Sequence, residues 1–230
     1  MKNIKNLFQL FYPNLCINCE NQLLINEEVI CIVCRNNMPL LKIYDFENNI
    51  VTNAFFGKTK LNRGYSFLNY QKKGMTKNLI SNLKYKNRED IGEFLGNWFG
   101  SILKEKQVFD TVDFIVPVPL HKNKLKKRGY NQITKFSKSL SSILSIKYKP
   151  NVLVRTSYNK TQTKKNRIDR FVNIENHFNL TDEKIFENKH ILLVDDVITS
   201  GATIRACCNE LQKTKNINIS IVSIAFTGQN

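Results

Sequence analysis

The run Ile191-Leu192-Leu193-Val194-Asp195-Asp196-Val197-Ile198-Thr199-Ser200-Gly201-Ala202-Thr203 constrains this chain more than any other. Four apolar residues predict a strand buried on both faces, as in a parallel sheet. Two adjacent carboxylates stand at its C-terminal end, and a loop of small residues follows. Residues 202–211 then read as a helix. Successive backbone N–H groups and the start of that helix can hold a phosphate. Thr199, Ser200 and Thr203 add hydroxyl donors, and Gly201 lets the backbone come close to a ligand. Asp195 and Asp196 can accept hydrogen bonds from vicinal hydroxyls. A Mg²⁺ ion would offset the repulsion between the acids and the phosphates. The corner is thus half of a site for a phosphorylated sugar. The competing reading is an ordinary strand–turn–helix corner with an acidic cap. Two adjacent carboxylates are costly there without a ligand or counter-charge.

This segment resembles the phosphoribosyl-pyrophosphate (PRPP) motif of type I phosphoribosyltransferases. The resemblance implies that Asp195 and Asp196 face a ribose. It also implies that Thr199, Ser200, Gly201, Ala202 and Thr203 wrap its 5′-phosphate.

Near the start lie two matched pairs, Cys16-Ile17-Asn18-Cys19 and Cys31-Ile32-Val33-Cys34, with eleven residues between them. Each pair can place two thiolates on one ion, and together they complete a tetrahedral shell with no open position. Structural Zn²⁺ is the expected metal, held by Cys16, Cys19, Cys31 and Cys34. The spacer from Glu20 to Ile30 carries three acids and no Lys or Arg, which favours a scaffold over a nucleic-acid contact. No signal peptide is recognisable and no stretch reaches the roughly 18 apolar residues of a membrane span. A cytoplasmic protein is expected, with its cysteines reduced. Cys207 and Cys208 read as small residues buried under a helix.

The 230 residues carry a formal charge of +16 and an apolar fraction of 42%, enough for a real core. Such a balance suits polyanionic partners. Richness in Lys, Asn and Ile at every surface-like stretch also follows from AT-rich coding, so part of the charge has that second explanation. Residues 1–45 form the cysteine module and 46–230 the main domain. Residues 44–56 read as a polar, irregular connector. A strand is predicted over 63–70 and a helix over 74–86. A second helix is predicted from an Asp90 N-cap, with Ile91, Phe94, Leu95, Trp98, Phe99 and Ile102 on its buried face. A buried strand over 112–119 leads into a cationic loop with Lys122, Lys124, Lys126, Lys127 and Arg128, and a helix follows over 133–144. Cations at a strand end can hold a pyrophosphate. A short strand over 152–155 precedes a long polar segment, 156–176, with Lys160, Gln162, Lys164, Lys165, Arg167 and Arg170. Over a pyrophosphate such a segment would act as a lid. Residues 218–226 alternate as a final strand. There is no internal repeat and no Walker A loop.

In order along the chain stand Tyr12-Pro13-x-x-Cys16-x-x-Cys19, Leu83-Lys84-Tyr85-Lys86, Pro117-Val118-Pro119-Leu120, Arg128-Gly129-Tyr130-Asn131-Gln132, Thr161-Gln162 with Arg167, Arg170 and Asn173, and the PRPP motif. This set resembles the ComF family (ComFC/GntX-like). The resemblance implies an α/β, type I phosphoribosyltransferase fold, a parallel sheet flanked by helices, with a small N-terminal Cys₄ zinc element. It implies Mg²⁺-dependent PRPP binding, with Arg128, Gln162, Arg167 and Arg170 at the pyrophosphate. It also implies a role in natural transformation, handling incoming single-stranded DNA beside the uptake machinery at the inner membrane. Lys122, Lys124, Lys126, Lys127, Lys164 and Lys165 would then meet DNA phosphates, and Tyr130 and Tyr158 could stack bases. The alternative is an active phosphoribosyltransferase whose acceptor no residue identifies.

Overall fold

The computed structural model describes residues 13–41, 49–156 and 177–228. Apolar, β-branched runs build one all-parallel sheet. Its strands are β1 (Gly64–Asn69), β2 (Phe114–Pro117), β3 (Lys147–Tyr148), β6 (His190–Ile198) and β7 (Asn218–Phe226), in the order β1-β7-β6-β2-β3. Two further strands, β4 (Leu153–Thr156) and β5 (His177–Leu180), pair antiparallel as a separate ribbon. Parallel neighbours need crossovers, and helices supply them. After α1 (Ile32–Asn36) and α2 (Ile50–Phe55), α3 (Met75–Tyr85) and α4 (Asp90–Glu105) link β1 to β2. Helices α5 (Lys122–Arg128) and α6 (Thr134–Leu144) link β2 to β3, and α7 (Ala202–Leu211) links β6 to β7.

Side chains of β6 alternate between two cores. Leu192 and Val194 pack with Leu79, Leu83, Leu95, Phe99 and Phe136. Ile191 and Leu193 pack with Phe55, Phe186, Ile204, Cys207 and Leu211. Cys207 and Cys208 are fully buried, as expected of small packing residues. The sheet is therefore covered on both faces, which is why its strands read as continuous apolar runs.

Helix α4 holds a feature beyond the expected aromatic stripe. Gly92, Gly96 and Gly100 recur every four residues on one buried face, against α6. A Cβ at Gly96 would lie 2.7 Å from Ser139 Cβ and 2.8 Å from the Phe136 carbonyl oxygen. The two helices pass this closely only because glycine stands at the crossing. Phe67 stacks on Phe99 at 4.8 Å and meets Trp98 edge-on at 5.0 Å, so the predicted aromatic face lies in and around the core.

The cysteine module shares this core. Val29, Ile30 and Met38 cluster with Phe67 and Leu68. Leu41 N donates to Phe67 O at 2.9 Å and Asn69 N to Pro39 O at 2.8 Å. The Arg35 guanidinium lies over the Trp98 ring at 4.7 Å.

Four local expectations are corrected. The connector over 44–56 contains α2, because Asn49 Oδ1 accepts from Val51 N at 3.0 Å and Thr52 N at 2.9 Å and so caps a turn that buries Val51 and Phe55. Asp90 is the first residue of α4 and not its cap; its carboxylate is taken by Arg88 at 2.6 Å. The cationic loop is a helix, α5, with His121 Nδ1 accepting from Asn123 N at 3.1 Å and Gly129 in the left-handed conformation, φ +80°, at its end. Strand β6 does not end at the acids. Its pairing with β7 carries it through Asp195 and Asp196 to Ile198.

Candidate phosphoribosyl site

Because β6 continues through the acid pair, consecutive residues point to opposite faces of the sheet. Asp196 turns toward α3 and α6. Its Oδ2 receives Lys84 Nζ at 2.6 Å and Gln132 Nε2 at 2.7 Å, and its Oδ1 accepts from Val197 N at 2.6 Å. It is only 7% exposed. Asp195 lies in the field of Arg155 and adds to the burial that raises the Cys207 thiol on α7. Its Oδ1 accepts from Asp196 N at 2.8 Å. Burial, and then the Asp196 charge beside it, push the Asp195 carboxyl up to about 7.

The loop beyond β6 presents Thr199 and Ser200 to solvent, with Ala202 and Thr203 half-buried. Gly201 has φ +73°, and a Cβ there would meet the Phe55 ring at 2.7 Å. Phe55 of α2 is thus the floor of the loop, and only glycine fits above it. Gly201 at the start of α7 has no side chain to cap the helix, and of its first N–H groups Ala202 N donates to Ser200 Oγ at 3.4 Å. Open N–H groups at the start of a helix of this length can accept an anion.

Two motifs distant in sequence converge beside the acids. Lys84 stands in the last turn of α3, and Gln132 in the turn before α6. Tyr130 Oη donates to Leu83 O, and burial raises its phenol. Asn131 Nδ2 donates to Val118 O at 3.1 Å. Arg128 Nη1 donates to Gln132 Oε1 at 2.8 Å, and its guanidinium lies over the Tyr85 ring at 5.2 Å. Lys122, Lys124, Lys126 and Lys127 are exposed along α5, beyond the C-terminal end of β2. Gln162, Lys164, Lys165, Arg167 and Arg170, with Tyr158, lie outside the described residues.

Sequence reasoning gave no separate role to Lys84, Gln132 or Phe55. A cation and an amide that can both reach one carboxylate were already present in the quoted motifs, but the strand order that unites them was not.

The four thiols of Cys16, Cys19, Cys31 and Cys34 converge with their sulfurs within 4.8 Å of one another. Cys19 Sγ and Cys31 Sγ are 3.6 Å apart, close to the edge of about 3.8 Å that a tetrahedral ZnS₄ centre with 2.3 Å bonds requires. Cys31 N donates to Cys16 Sγ at 3.4 Å and Asn18 Nδ2 to Cys34 Sγ at 3.3 Å. Burial pushes the Cys34 thiol up to about 12. Burial also opposes ionisation of Cys16, but the amides of Cys19, Cys31 and Asn18 outweigh it and bring that thiol down to about 6. Soft donors in this geometry fit a structural metal ion. Asn78 of α3 donates to Asn18 Oδ1 at 3.3 Å, tying the knuckle to the helix that carries Lys84. Among the described residues, no helix is long and apolar enough to cross a membrane.

A parallel sheet flanked by helices, with an acid pair and a Thr/Ser/Gly loop on its central strand, defines a protein of the phosphoribosyltransferase fold. The PRTase-CE family model matches residues 67–230. The chain belongs to that family and is a ComF family protein. It is similar to Competence protein F of Haemophilus influenzae, 36% identical over 112 residues, covering 48% of this chain and 49% of that protein. DNA utilization protein YhgH of Escherichia coli is 30% identical over 129 residues, 55% and 56% of the two chains. Competence protein ComFC of Bacillus subtilis is 28% identical over 153 residues, 66% and 60%. The matched part thus spans about half to three-fifths of these relatives. Solved structures are more distant. The glutamine PRPP amidotransferase of B. subtilis, complexed with ADP and GMP, aligns with TM-score 0.40 and 16% identity over 61% of this chain and 30% of that one. A purine phosphoribosyltransferase of Pyrococcus horikoshii aligns with TM-score 0.37 and 18% identity over 58% and 74%.

Proposed function

We propose that this chain is a competence protein that binds PRPP with Mg²⁺ and handles single-stranded DNA. One observation carries the ligand reading: a partly buried Asp195 lies near the C-terminal end of β6, on the strand that leads into the start of α7, where Gly201 sits directly over Phe55. Asp195 would accept from the ribose hydroxyls. The N–H groups at Gly201 to Thr203, with the hydroxyls of Thr199, Ser200 and Thr203, would hold the 5′-phosphate. Bound Mg²⁺ supplies charge neutralisation between carboxylates and phosphates. The cysteine cluster, within residues 1–45, would hold Zn²⁺ as a brace for the main domain, 46–230.

Support for DNA handling comes from the exposed cations of α5, close to the ligand site, and from relatives named as competence and DNA utilization proteins. Phosphate contacts of this kind weaken steeply with salt.

The test is calorimetric titration of Mg-PRPP into the wild type and into Asp195→Asn/Asp196→Asn. Binding that the double variant loses supports the reading, and a folded, zinc-loaded wild type that takes up no PRPP refutes it. Anisotropy of a labelled oligo-dT across a salt series tests the DNA part; an affinity independent of salt, or none, counts against it. A second reading, an active phosphoribosyltransferase, is favoured by the intact acid pair and open loop. Pyrophosphate release with a panel of bases and amines would establish it.

A further inference from the structure

Asp196 is held more completely than a ligand-binding carboxylate needs to be. A carboxylate offers about four lone-pair sites, and Lys84 Nζ, Gln132 Nε2 and Val197 N occupy three of them. Gln132 is engaged at both ends, since its Oε1 receives Arg128 Nη1 at 2.8 Å while its Nε2 serves Asp196. Arg128 closes α5, the helix whose other cations are exposed. A continuous line of polar contacts therefore runs from a basic surface to the acid pair.

We propose that Lys84 and Gln132 are positioning residues of the phosphoribosyl site, and that Gln132 couples polyanion binding on α5 to that site with negative sign. The proposal rests on the PRPP reading above. Lys84 supplies a counter-charge that lets two adjacent carboxylates coexist, so Asp195 meets the ribose with its neighbour already paired. A phosphate that takes Arg128 removes the donor to Gln132 Oε1. The amide is then free to turn, and Asp196 loses one of its two side-chain donors. By linkage, each ligand weakens the other by the same factor.

The experiment is Mg-PRPP calorimetry on the wild type, Lys84→Met, Lys84→Arg and Gln132→Leu, each with and without saturating oligo-dT. Thermal unfolding and zinc content establish that each variant is folded. Lys84→Met is expected to lose about tenfold in affinity, within the range by which one position changes binding at another, and Lys84→Arg to keep most of it. Oligo-dT is expected to weaken PRPP binding by about fivefold in the wild type and to have no effect in Gln132→Leu. Lys84→Met with wild-type affinity, or an oligo-dT effect that persists in Gln132→Leu, overturns the proposal. Should Lys84→Met not fold, the Gln132→Leu arm decides alone. A folded wild type that binds no PRPP defeats the underlying reading instead, and the two failures are thereby distinguished.

Discussion

Lys84 Nζ lies 2.6 Å from Asp196 Oδ2, joining the last turn of α3 to the acid pair of the central strand. The pair is largely buried, with side-chain exposures of 20% and 9%. Its position explains how a sheet can carry two adjacent carboxylates: one is paired within the fold, and under the proposed reading the other meets the ligand.

Removing Lys84 should therefore be costly. Lys84→Met is expected to lower stability by about 3 kcal/mol, since it strands a buried carboxylate. Adding Asp196→Asn should recover part of the loss. Guanidinium unfolding of both single variants and the double variant gives the coupling; additive losses would show that the pair contributes nothing.

Asp195 makes stability depend on pH in a defined direction. Its folded value of about 7 lies above the usual 3.8, so the folded chain holds the proton more tightly than the unfolded chain. The resulting stability is present at low pH and is lost as pH rises from about 4 through 7. Asp195→Asn should raise Tm at pH 8 by about 2–4 °C, equivalent to ~1 kcal/mol in a chain of this size. The gain should vanish toward pH 4. A gain unchanged across that range, measured by scanning calorimetry, would contradict the assignment.

The glycine face of α4 predicts a graded response. Gly96→Ala puts a methyl 2.8 Å from backbone oxygen and 2.7 Å from Ser139 Cβ, so the helices must separate. It should cost about 1–3 kcal/mol despite the better helix propensity of alanine. Gly100→Ala meets only the Ile143 side chain, at 3.2 Å and beyond, and should cost less. Equal midpoints in urea for the two variants would refute this packing.

Metal removal should be felt throughout the domain. The cysteine module shares its core with β1 through Met38, Phe67 and Leu68. Chelation, or Cys34→Ser, is expected to lower the single unfolding transition and not to melt the module separately. Two resolved transitions would mean that module and sheet fold independently.

Much of this protein was legible along the chain. The acid pair and its loop, the two cysteine knuckles, and most strands and helices rest on contiguous patterns: alternation, cap residues and close spacing. Local geometry alone enforces these. The local signal is weak at Asn49, whose cap lies inside a polar stretch, and in α5, where like charges conceal a capped helix.

Order along the chain equips particular residues for chemistry: Asp195, the Thr199–Thr203 loop, and four cysteines at metal-ligand spacing. Packing in three dimensions makes Lys84 and Gln132 share Asp196, lays Phe55 under Gly201, and sets Gly96 against Ser139. Each of these contacts joins residues far apart in the chain. Each depends on the order in which parallel strands lie and on how their crossover helices dock, and no short window of sequence contains that order.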